Sequence, residues 1–308
     1  MAGRPTSDAV PALAVLLPER RRFAGQALGE AFGKALARAD KLDDAEPGER
    51  AQLLRHFDLL PRGWPMAAIT RQRDAGDAVL HQWLRADPAH VRPDMTGARV
   101  MAIGELGLTQ AEADALVAPL RPLFGDTGFQ ISAPCPSRWY VALPIEARVP
   151  AFSPPEAVLG DDLFSHLPDG PDGRRWRALL NEAQVLLHNH PVNAARVAAG
   201  RPPVNSLCFW GAGRLPDHVR TPFAAVASED AELLSLAALA NLGATGEGPQ
   251  LLDLRRARDW SAVAARLQPA LAGLGGDELR LDFADGARFS LRAGQRWRFW
   301  RRPMARLA

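Results

Sequence analysis

The sequence predicts an α/β protein with a largely parallel sheet flanked by helices, and with an inserted α+β lobe. Short apolar runs bounded by turn residues alternate with segments whose apolar residues recur at steps of three and four positions. The first pattern is typical of strands buried on both faces of a parallel sheet, and the second of helices that cover such a sheet. We assign 1–98 and 206–308 to the α/β core and 99–205 to the inserted lobe.

The first core elements are predicted at the start of the chain. The apolar run 12–17 ends at Pro18 and has the length of a buried strand, and helical spacing follows at 24–40. Asp87-Pro88 marks a helix end, because a residue before proline is disfavoured in the α region. The other elements predicted before this point are a short helix at 51–60, a strand at 64–70 and a helix at 74–85.

A capping box and a proline-rich stretch organise the middle of the chain. Thr109, followed three residues later by Glu112, predicts the start of a helix that runs to Leu123. Residues 144–174 are rich in proline and glycine and predict mostly loop. The other predicted elements are strands at 100–103, 139–143, 206–210, 223–226 and 251–254, helices at 175–188, 192–199, 229–241 and 258–272, and antiparallel hairpins within 278–302 with a turn at Asp285-Gly286.

Composition and charge exclude several classes of protein. Of the 308 residues, 47% are hydrophobic and 23% are charged, which is typical of a globular protein and unlike a fibrous or disordered one. No apolar stretch approaches the roughly 20 residues of a membrane helix. A net charge of +2 does not indicate a nucleic-acid surface. Cys135 and Cys208 predict neither a disulfide framework nor a zinc site, so we expect a cytoplasmic protein without nucleic-acid or membrane partners.

The densest polar cluster of the sequence lies between 181 and 205. Arginine forks, amide donors and histidines with few carboxylates have the chemistry of a site for a phosphate or carboxylate group. The alternative is that these side chains cap helices and fix turns. A metal site is not favoured, because no third ligand lies near the two histidines in the sequence. The predicted anion-binding residues are His188, His190, Asn193, Arg196, Arg201 and Asn205.

One block of this sequence resembles a known family. It runs as His190-Pro191-Val192-Asn193, Arg196, Gly200, Pro202-Pro203-Val204-Asn205 and Trp210-Gly211-Ala212-Gly213. In order and spacing the block is similar to a signature of archaeal-type cofactor-independent phosphoglycerate mutases, which belong to the alkaline phosphatase superfamily. Over nearly the whole chain the sequence also resembles proteobacterial phosphoglycerate-mutase-like or RpfE-type regulatory proteins. The segments that carry this second resemblance are 84–88, 138–140, 179–182 and 298–303.

The resemblance implies a degenerate alkaline-phosphatase-like core, whereas this chain departs from the metal centre of the family. The family implies two divalent metals held by Asp and His, and a serine nucleophile that is transiently phosphorylated. After the first strand the family has Asp-Gly, but this chain has Pro18-Glu19 and then three arginines. Thr70 stands near the position of the serine, and Asp253 is followed by Arg255 and Arg256. Cations at these positions oppose metal binding.

These departures predict a non-catalytic, phosphoglycerate-mutase-like regulatory protein that senses a small phosphorylated or carboxylated metabolite, with no metal and no other cofactor. One alternative is a metal-dependent phosphomutase or phosphatase with atypical ligands. Another is a protein-interaction module, with a protein partner that the sequence does not identify, that uses the aromatic and basic stretch 296–302. For that stretch we predict a terminal strand with its aromatic side chains inward and its arginines outward, in preference to a nucleic-acid or membrane surface.

Overall fold

The computed structural model describes residues 10–94 and 97–307, and these form two compact units. The first unit comprises the described residues up to 60 together with those from 218 onward, and the second comprises those between 61 and 217. Both boundaries of the predicted insertion, 98/99 and 205/206, fall inside the second unit. Within the described residues, no helix is both long and apolar enough to cross a bilayer.

The described residues contain strands, α-helices and four short 3₁₀ segments. The strands are β1 (Leu13–Leu17), β2 (Asp40–Lys41), β3 (Asp58–Leu60), β4 (Gln82–Asp94), β5 (Gly97–Ile103), β6 (Gln130–Cys135), β7 (Arg138–Leu143), β8 (Ser206–Gly213), β9 (His218–Arg220), β10 (Ala225–Ala227), β11 (Gln250–Asp253), β12 (Glu278–Phe283) and β13 (Arg288–Arg292). The α-helices are α1 (Glu30–Arg38), α2 (Glu49–Leu54), α3 (Met66–Ala75), α4 (Gln110–Val117), α5 (Leu120–Gly125), α6 (Pro155–Val158), α7 (Gly170–His188), α8 (Pro191–Ala198), α9 (Ala231–Leu239) and α10 (Trp260–Ala272). The 3₁₀ segments are Arg20–Phe23, Ala78–Leu80, Leu163–His166 and Ala293–Trp297.

The first unit is built on a mixed sheet with the strand order β10-β11-β1-β12-β13-β2. Strands β10, β11, β1 and β12 are parallel, and β13 is antiparallel to both of its neighbours. Val15 of the central β1 lies opposite Leu252 and Leu281, and it is fully buried, as a strand covered on both faces requires. The predicted α/β class with a largely parallel sheet is confirmed.

Trp260, at the start of α10, anchors the core beside this sheet. It is 1% exposed, and its ring meets Phe23 and Phe32 edge-on at centroid distances of 5.5 and 5.7 Å. Its indole N–H donates to the carbonyl of Leu28 at 3.1 Å, so its polar atom is satisfied inside the core. The predicted helix at 24–40 begins only at Glu30, because the preceding Gly29 has a φ of +75° and interrupts the helical backbone.

The second unit contains an antiparallel sheet of five strands. Strand β4 lies between β5 and β7 in the order β5-β4-β7-β6, and β8 also pairs with β4. Helices α4, α5 and α7 contribute to one hydrophobic core with this sheet. The predicted capping box at the start of α4 is confirmed, with Thr109 and Glu112 bonded to each other's backbone N–H groups.

Two predicted elements of the second unit are wrong in type. The predicted strand at 64–70 is the start of α3, and the predicted helix at 74–85 contains the first residues of β4. Strand β4 is buried at every position from Trp83 to Ala89, so its apolar residues show no strict alternation. The buried segment also includes the charged residues Arg85 and Asp87, so the sequence shows neither a period of two nor a continuous apolar run, which explains the error.

The glycines of the Trp-Gly-Ala-Gly motif allow β8 to approach α3 closely. Gly211 has a φ of +67°, and a Cβ atom there would lie 3.2 Å from the backbone nitrogen of Ala67. A Cβ atom at Gly213 would lie 2.6 Å from the Cβ atom of Pro65. These contacts give the motif a structural role in the second unit.

Candidate functional site

The structure places the six predicted anion-binding residues at α7, at α8 and at the connection to β8. His188 is the exposed last residue of α7, and His190 caps α8, with its Nδ1 accepting from the backbone N–H of Val192 at 3.2 Å. Asn193 is buried; its amide donates to the carbonyls of Leu187 and Val204, each at 2.6 Å, and its oxygen accepts from the N–H of Val204 at 2.8 Å. These three hydrogen bonds of the Asn193 side chain are therefore all made with backbone groups.

Arg196 and its neighbours fix the same connection. The fully buried guanidinium of Arg196 donates to the carbonyls of Leu106 at 2.6 Å and Pro202 at 3.0 Å, and it lies 3.3 Å from the Glu112 carboxylate. Arg201 also pairs with Glu112, at 2.9 Å, and is half-exposed. Asn205 bonds to both the N–H and the carbonyl of Val91, each at 2.8 Å.

These contacts favour the structural alternative for Asn193, Arg196 and Asn205. Their polar atoms satisfy backbone groups that would otherwise be buried without partners. The structure does not bring His188 into this hydrogen-bonded group, because its side chain is exposed at the end of α7. Anion binding by the six residues stays a prediction.

A second group of polar residues lies at the carboxyl ends of the parallel strands in the first unit. In open α/β sheets this edge is where ligands bind. A cleft of about 490 Å³ lies here, where β10 and β11 end, and its polar lining residues include Ser228, Asp230, Asp253, Arg256 and Arg266. This cleft was not predicted as a site from the sequence, where the available signal for it was the position of Ser228 and Asp253 at predicted strand ends.

Ser228 and Asp253 form a hydroxyl–carboxylate pair in this cleft. The Ser228 hydroxyl donates to Oδ2 of Asp253 at 2.7 Å and accepts from the backbone N–H of Asp230 at 2.9 Å. The hydrogen bond from the Asp230 N–H to Ser228 closes a turn just before α9. Asp230 is the N-cap of α9, and its side chain accepts from the N–H of Leu233. The turn therefore holds the hydroxyl in a fixed direction toward the carboxylate.

Arg255 holds the carboxylates around this pair. Its guanidinium bonds to both oxygens of Asp253 at 2.9 Å, and it lies 3.1 Å from Asp230 and 3.3 Å from Glu49. The side chain of Arg255 is 5% exposed. Burial opposes the ionisation of Asp253, but hydrogen bonds and the positive charge of Arg255 outweigh it, so the pKa of Asp253 lies below its ordinary value. The same partners raise the pKa of Arg255 despite its burial.

Two further carboxylates near the same ends of the sheet are also held by basic side chains. Asp282 of β12 is buried, and Arg55 binds both of its oxygens at 2.7 and 3.0 Å while His56 lies 2.9 Å from one of them. Burial would raise the pKa of Asp282, but its bonds to His56 and Arg55 lower it below the ordinary value. Asp285, just after β12, pairs with Arg20 at 2.8 Å.

These residues do not fit the two-metal centre that the sequence resemblance implies. A pair of divalent cations needs several carboxylate or imidazole ligands that are free to bind it. Within the described ranges, no group of three or more His, Cys, Asp or Glu residues is arranged to hold a metal ion. Thr70, near the expected position of the serine, is buried in α3 and donates to the carbonyl of Met66 at 2.7 Å.

Comparisons with known proteins identify distant relatives. A probable 2,3-bisphosphoglycerate-independent phosphoglycerate mutase of Geobacter sulfurreducens is 38% identical over 63 residues, which are 20% of this chain and 16% of that protein. The 2,3-bisphosphoglycerate-independent phosphoglycerate mutase of Methanosarcina mazei is 39% identical over 64 residues, which are 21% of this chain and 16% of that protein. A scan against known protein families finds no match.

Two solved structures have low overall similarity to the chain. A cofactor-independent phosphoglycerate mutase of Thermoplasma acidophilum has 15% identity and a TM-score of 0.42, with 92% of this chain and 90% of that chain covered. A protein of Pyrococcus horikoshii has 12% identity and a TM-score of 0.46, with 92% and 88% covered.

The chain is distantly similar to cofactor-independent phosphoglycerate mutases. This finding corrects the predicted function. The relatives with 38% and 39% identity are named as mutases, so the prediction of a non-catalytic regulatory protein is wrong, and the RpfE-type assignment has no support. The error arose because missing metal ligands were taken to mean missing catalysis.

The buried contacts of Arg196 predict a large loss of stability when its guanidinium is removed. Arg196→Met leaves the carbonyls of Leu106 and Pro202 without this donor and removes a buried cation from beside Glu112, and we expect it to lower the free energy of unfolding by about 3 kcal/mol or more. Arg201→Met removes a half-exposed ion pair and should cost less than about 1 kcal/mol. Urea unfolding followed by circular dichroism measures both. Equal losses in the two variants would contradict a structural role for Arg196.

The pairing of Asp253 with Arg255 predicts a change in acid stability. A lowered pKa in the folded state means that Asp253 stabilises the fold above its unfolded pKa of about 3.9, and that this contribution is lost as the pH falls through the lower folded value. Arg255→Gln removes the counterion, so the pKa of buried Asp253 rises and acid unfolding should begin at a higher pH.

Arg256→Gln is the matched control for this prediction. Arg256 is 73% exposed and lies 3.5 Å from Asp230, so its removal should leave the acid midpoint nearly unchanged. Far-ultraviolet circular dichroism during acid titration compares the two variants with the parent protein. Coinciding acid midpoints for the two variants would show that Arg255 does not govern the ionisation of Asp253.

Proposed function

We propose that this chain transfers a phosphoryl group on a small phosphorylated carboxylic acid, as a phosphomutase or phosphatase related to the phosphoglycerate mutases. The observation that carries the proposal is the Ser228 hydroxyl bonded to Asp253 in a cleft at the carboxyl ends of parallel strands. The names of its relatives supply the substrate class. The proposal shares its reaction class with the metal-dependent phosphomutase or phosphatase that the sequence left open as an alternative. It differs from that alternative in having arginines in the place of free metal ligands.

Ser228 is the proposed phosphoryl acceptor. A hydroxyl that donates to a carboxylate at 2.7 Å has the geometry of a nucleophile and its proton acceptor. Its oxygen forms a bond to phosphorus as the bond to the substrate oxygen breaks, its proton passes to Asp253, and the departing oxygen takes up a proton from a water molecule in the open cleft. In a mutase the phosphoryl group then returns to another hydroxyl of the same molecule, whereas in a phosphatase it passes to water.

The low pKa of Asp253 is compatible with this role. Phosphoryl transfer proceeds through a loose transition state with little bond formation to the nucleophile, so positioning and electrostatic stabilisation matter more than a strong base. Asp253 orients the hydroxyl and accepts its proton late in the transfer. Arg255 acts through the carboxylate, because its own donors are engaged by Asp253, Asp230 and Glu49.

Arg256 and Arg266 are the proposed substrate-binding residues of the cleft. Both line the cleft with exposed side chains, and guanidinium groups bind phosphate and carboxylate oxygens in pairs. Their charge would neutralise the phosphoryl oxygens during transfer, so no step of the proposal runs through a metal ion. We also propose a cytoplasmic location, in accord with the free thiols of Cys135 and Cys208.

A coupled phosphoglycerate mutase assay tests the proposal. The parent protein should interconvert 3-phosphoglycerate and 2-phosphoglycerate or release phosphate from them, and Ser228→Ala should lower kcat by about 100-fold or more. Ser261→Ala is the matched control, because Ser261 also donates to a carboxylate, Asp259 at 2.8 Å, but is exposed and not part of the cleft lining. This control should retain full activity.

Two results would contradict the proposal. One is the absence of turnover and of phosphate release in parent protein whose fold is intact by circular dichroism. The other is full activity in Ser228→Ala, which would exclude this serine as the acceptor.

A further inference from the structure

The C-terminal segment of the first unit exposes three large aromatic side chains. Trp297, Phe299 and Trp300 are 66%, 76% and 69% exposed. The predicted terminal strand with inward aromatics is wrong, because β13 ends at Arg292 and the chain continues as the 3₁₀ segment Ala293–Trp297. Adjacent exposed aromatics rimmed by charges mark a surface that binds a partner.

The segment is held in place on both sides of these aromatics. Gln295 is buried and donates to Asp40 and to the carbonyl of Ser290, both at 3.0 Å. Arg298 donates to Asp40 at 2.6 Å, and the backbone N–H of Met304 donates to the carbonyl of Gly33 at 2.9 Å. The exposed rings therefore belong to a fixed surface, which would lose little conformational freedom on binding.

The charge of this surface is positive. Residues 293–308 include five arginines and no acidic residue. An adjoining groove of about 460 Å³ is lined by Lys34, Arg38 and Arg296 together with Trp297. Arg302 and Arg306 are also exposed. The chemistry that complements such a surface is an array of negative charges beside an apolar layer.

We propose that this segment binds the surface of membranes that contain anionic phospholipids. Indole rings favour the boundary between headgroups and acyl chains, and each arginine near an anionic surface contributes about 1 kcal/mol. Apolar insertion and basic charge are two signals that together give reversible peripheral attachment. The surface lies apart from the lining of the proposed catalytic cleft in the same unit.

The arrangement of the rings favours a lipid surface over a single-stranded nucleic acid. Stacking on bases needs a free ring face. The guanidinium of Arg296 lies over the ring of Trp297, 5.1 Å from its centroid. Phe299 and Trp300 contact each other edge-to-face at 5.6 Å and 76°. These contacts cover one face of Trp297 and one face within the Phe299–Trp300 pair, so fewer faces are free to stack on successive bases, whereas the grouped rings present an apolar surface that suits insertion among lipid headgroups.

Vesicle co-sedimentation of the full chain tests this proposal. The protein should bind vesicles of phosphatidylcholine with phosphatidylserine, bind phosphatidylcholine alone much less, and be released by salt. Trp297→Ala with Trp300→Ala should weaken binding at least tenfold. Arg302→Ser with Arg306→Ser should weaken it roughly 30-fold, which is the conversion of about 1 kcal/mol per charge.

Matched controls separate this surface from general charge and hydrophobicity. Phe164→Ala removes an aromatic side chain that is 53% exposed in the second unit, and it should bind vesicles as the parent does. Arg121→Ser with Arg148→Ser removes the same net charge from exposed positions of that unit and should also bind normally. Unfolding curves confirm the fold of each variant, since all substituted side chains are exposed.

Three results would overturn the proposal. The first is no binding of the parent protein to anionic vesicles. The second is equal binding by the tryptophan double variant. The third is capture of a single-stranded oligonucleotide that depends on Trp297 and Trp300 while vesicles are not bound, which would assign the surface to nucleic acid.

Discussion

The pairing of buried carboxylates with guanidinium groups is the interaction on which the carboxyl ends of the parallel strands depend. An ionised carboxylate in a protein interior requires a positive partner, because burial removes the water that would otherwise solvate it. Arg255 supplies that partner for Asp253, and Arg55 supplies it for Asp282, which also makes a hydrogen bond with His56. Without these cations the strands could not end in charged residues inside the unit. The ionised state of Asp253 therefore follows from the fold.

The same pairing sets the chemistry available at this edge. A guanidinium that occupies both oxygens of a carboxylate removes them as ligands for a divalent metal. It also leaves that carboxylate charged and fixed, so that Asp253 can accept a hydrogen bond from Ser228. Arginines beside the positions where the resemblance implies metal ligands therefore do not by themselves indicate a protein without catalytic activity. They are consistent with phosphoryl transfer supported by fixed cationic side chains.

The sequence predicted those features whose signal is local. The run 12–17 is short, apolar and ended by a proline, which is typical of a buried strand. Thr109 and Glu112 form a capping box from residues only three positions apart. Strand β4 was missed because its buried part mixes apolar residues with Arg85 and Asp87 and so shows no period of two. Asn193 and Arg196 stand in a polar cluster that predicted anion binding, but their partners are backbone groups of Val204 and Leu106, which composition cannot identify. The Ser228–Asp253 pair joins the ends of neighbouring strands, and their adjacency depends on a strand order that only the three-dimensional structure supplies.

Calorimetric titration of metal-stripped protein, first with 3-phosphoglycerate and separately with Mn²⁺, tests the central claim most directly. If arginines replace metal ligands at this edge, 3-phosphoglycerate should bind without added metal, and Arg256→Gln with Arg266→Gln should weaken that binding. Mn²⁺ should then give no stoichiometric heat, and its presence should leave the affinity for 3-phosphoglycerate unchanged. Stoichiometric Mn²⁺ binding that is required before 3-phosphoglycerate can bind would contradict the account.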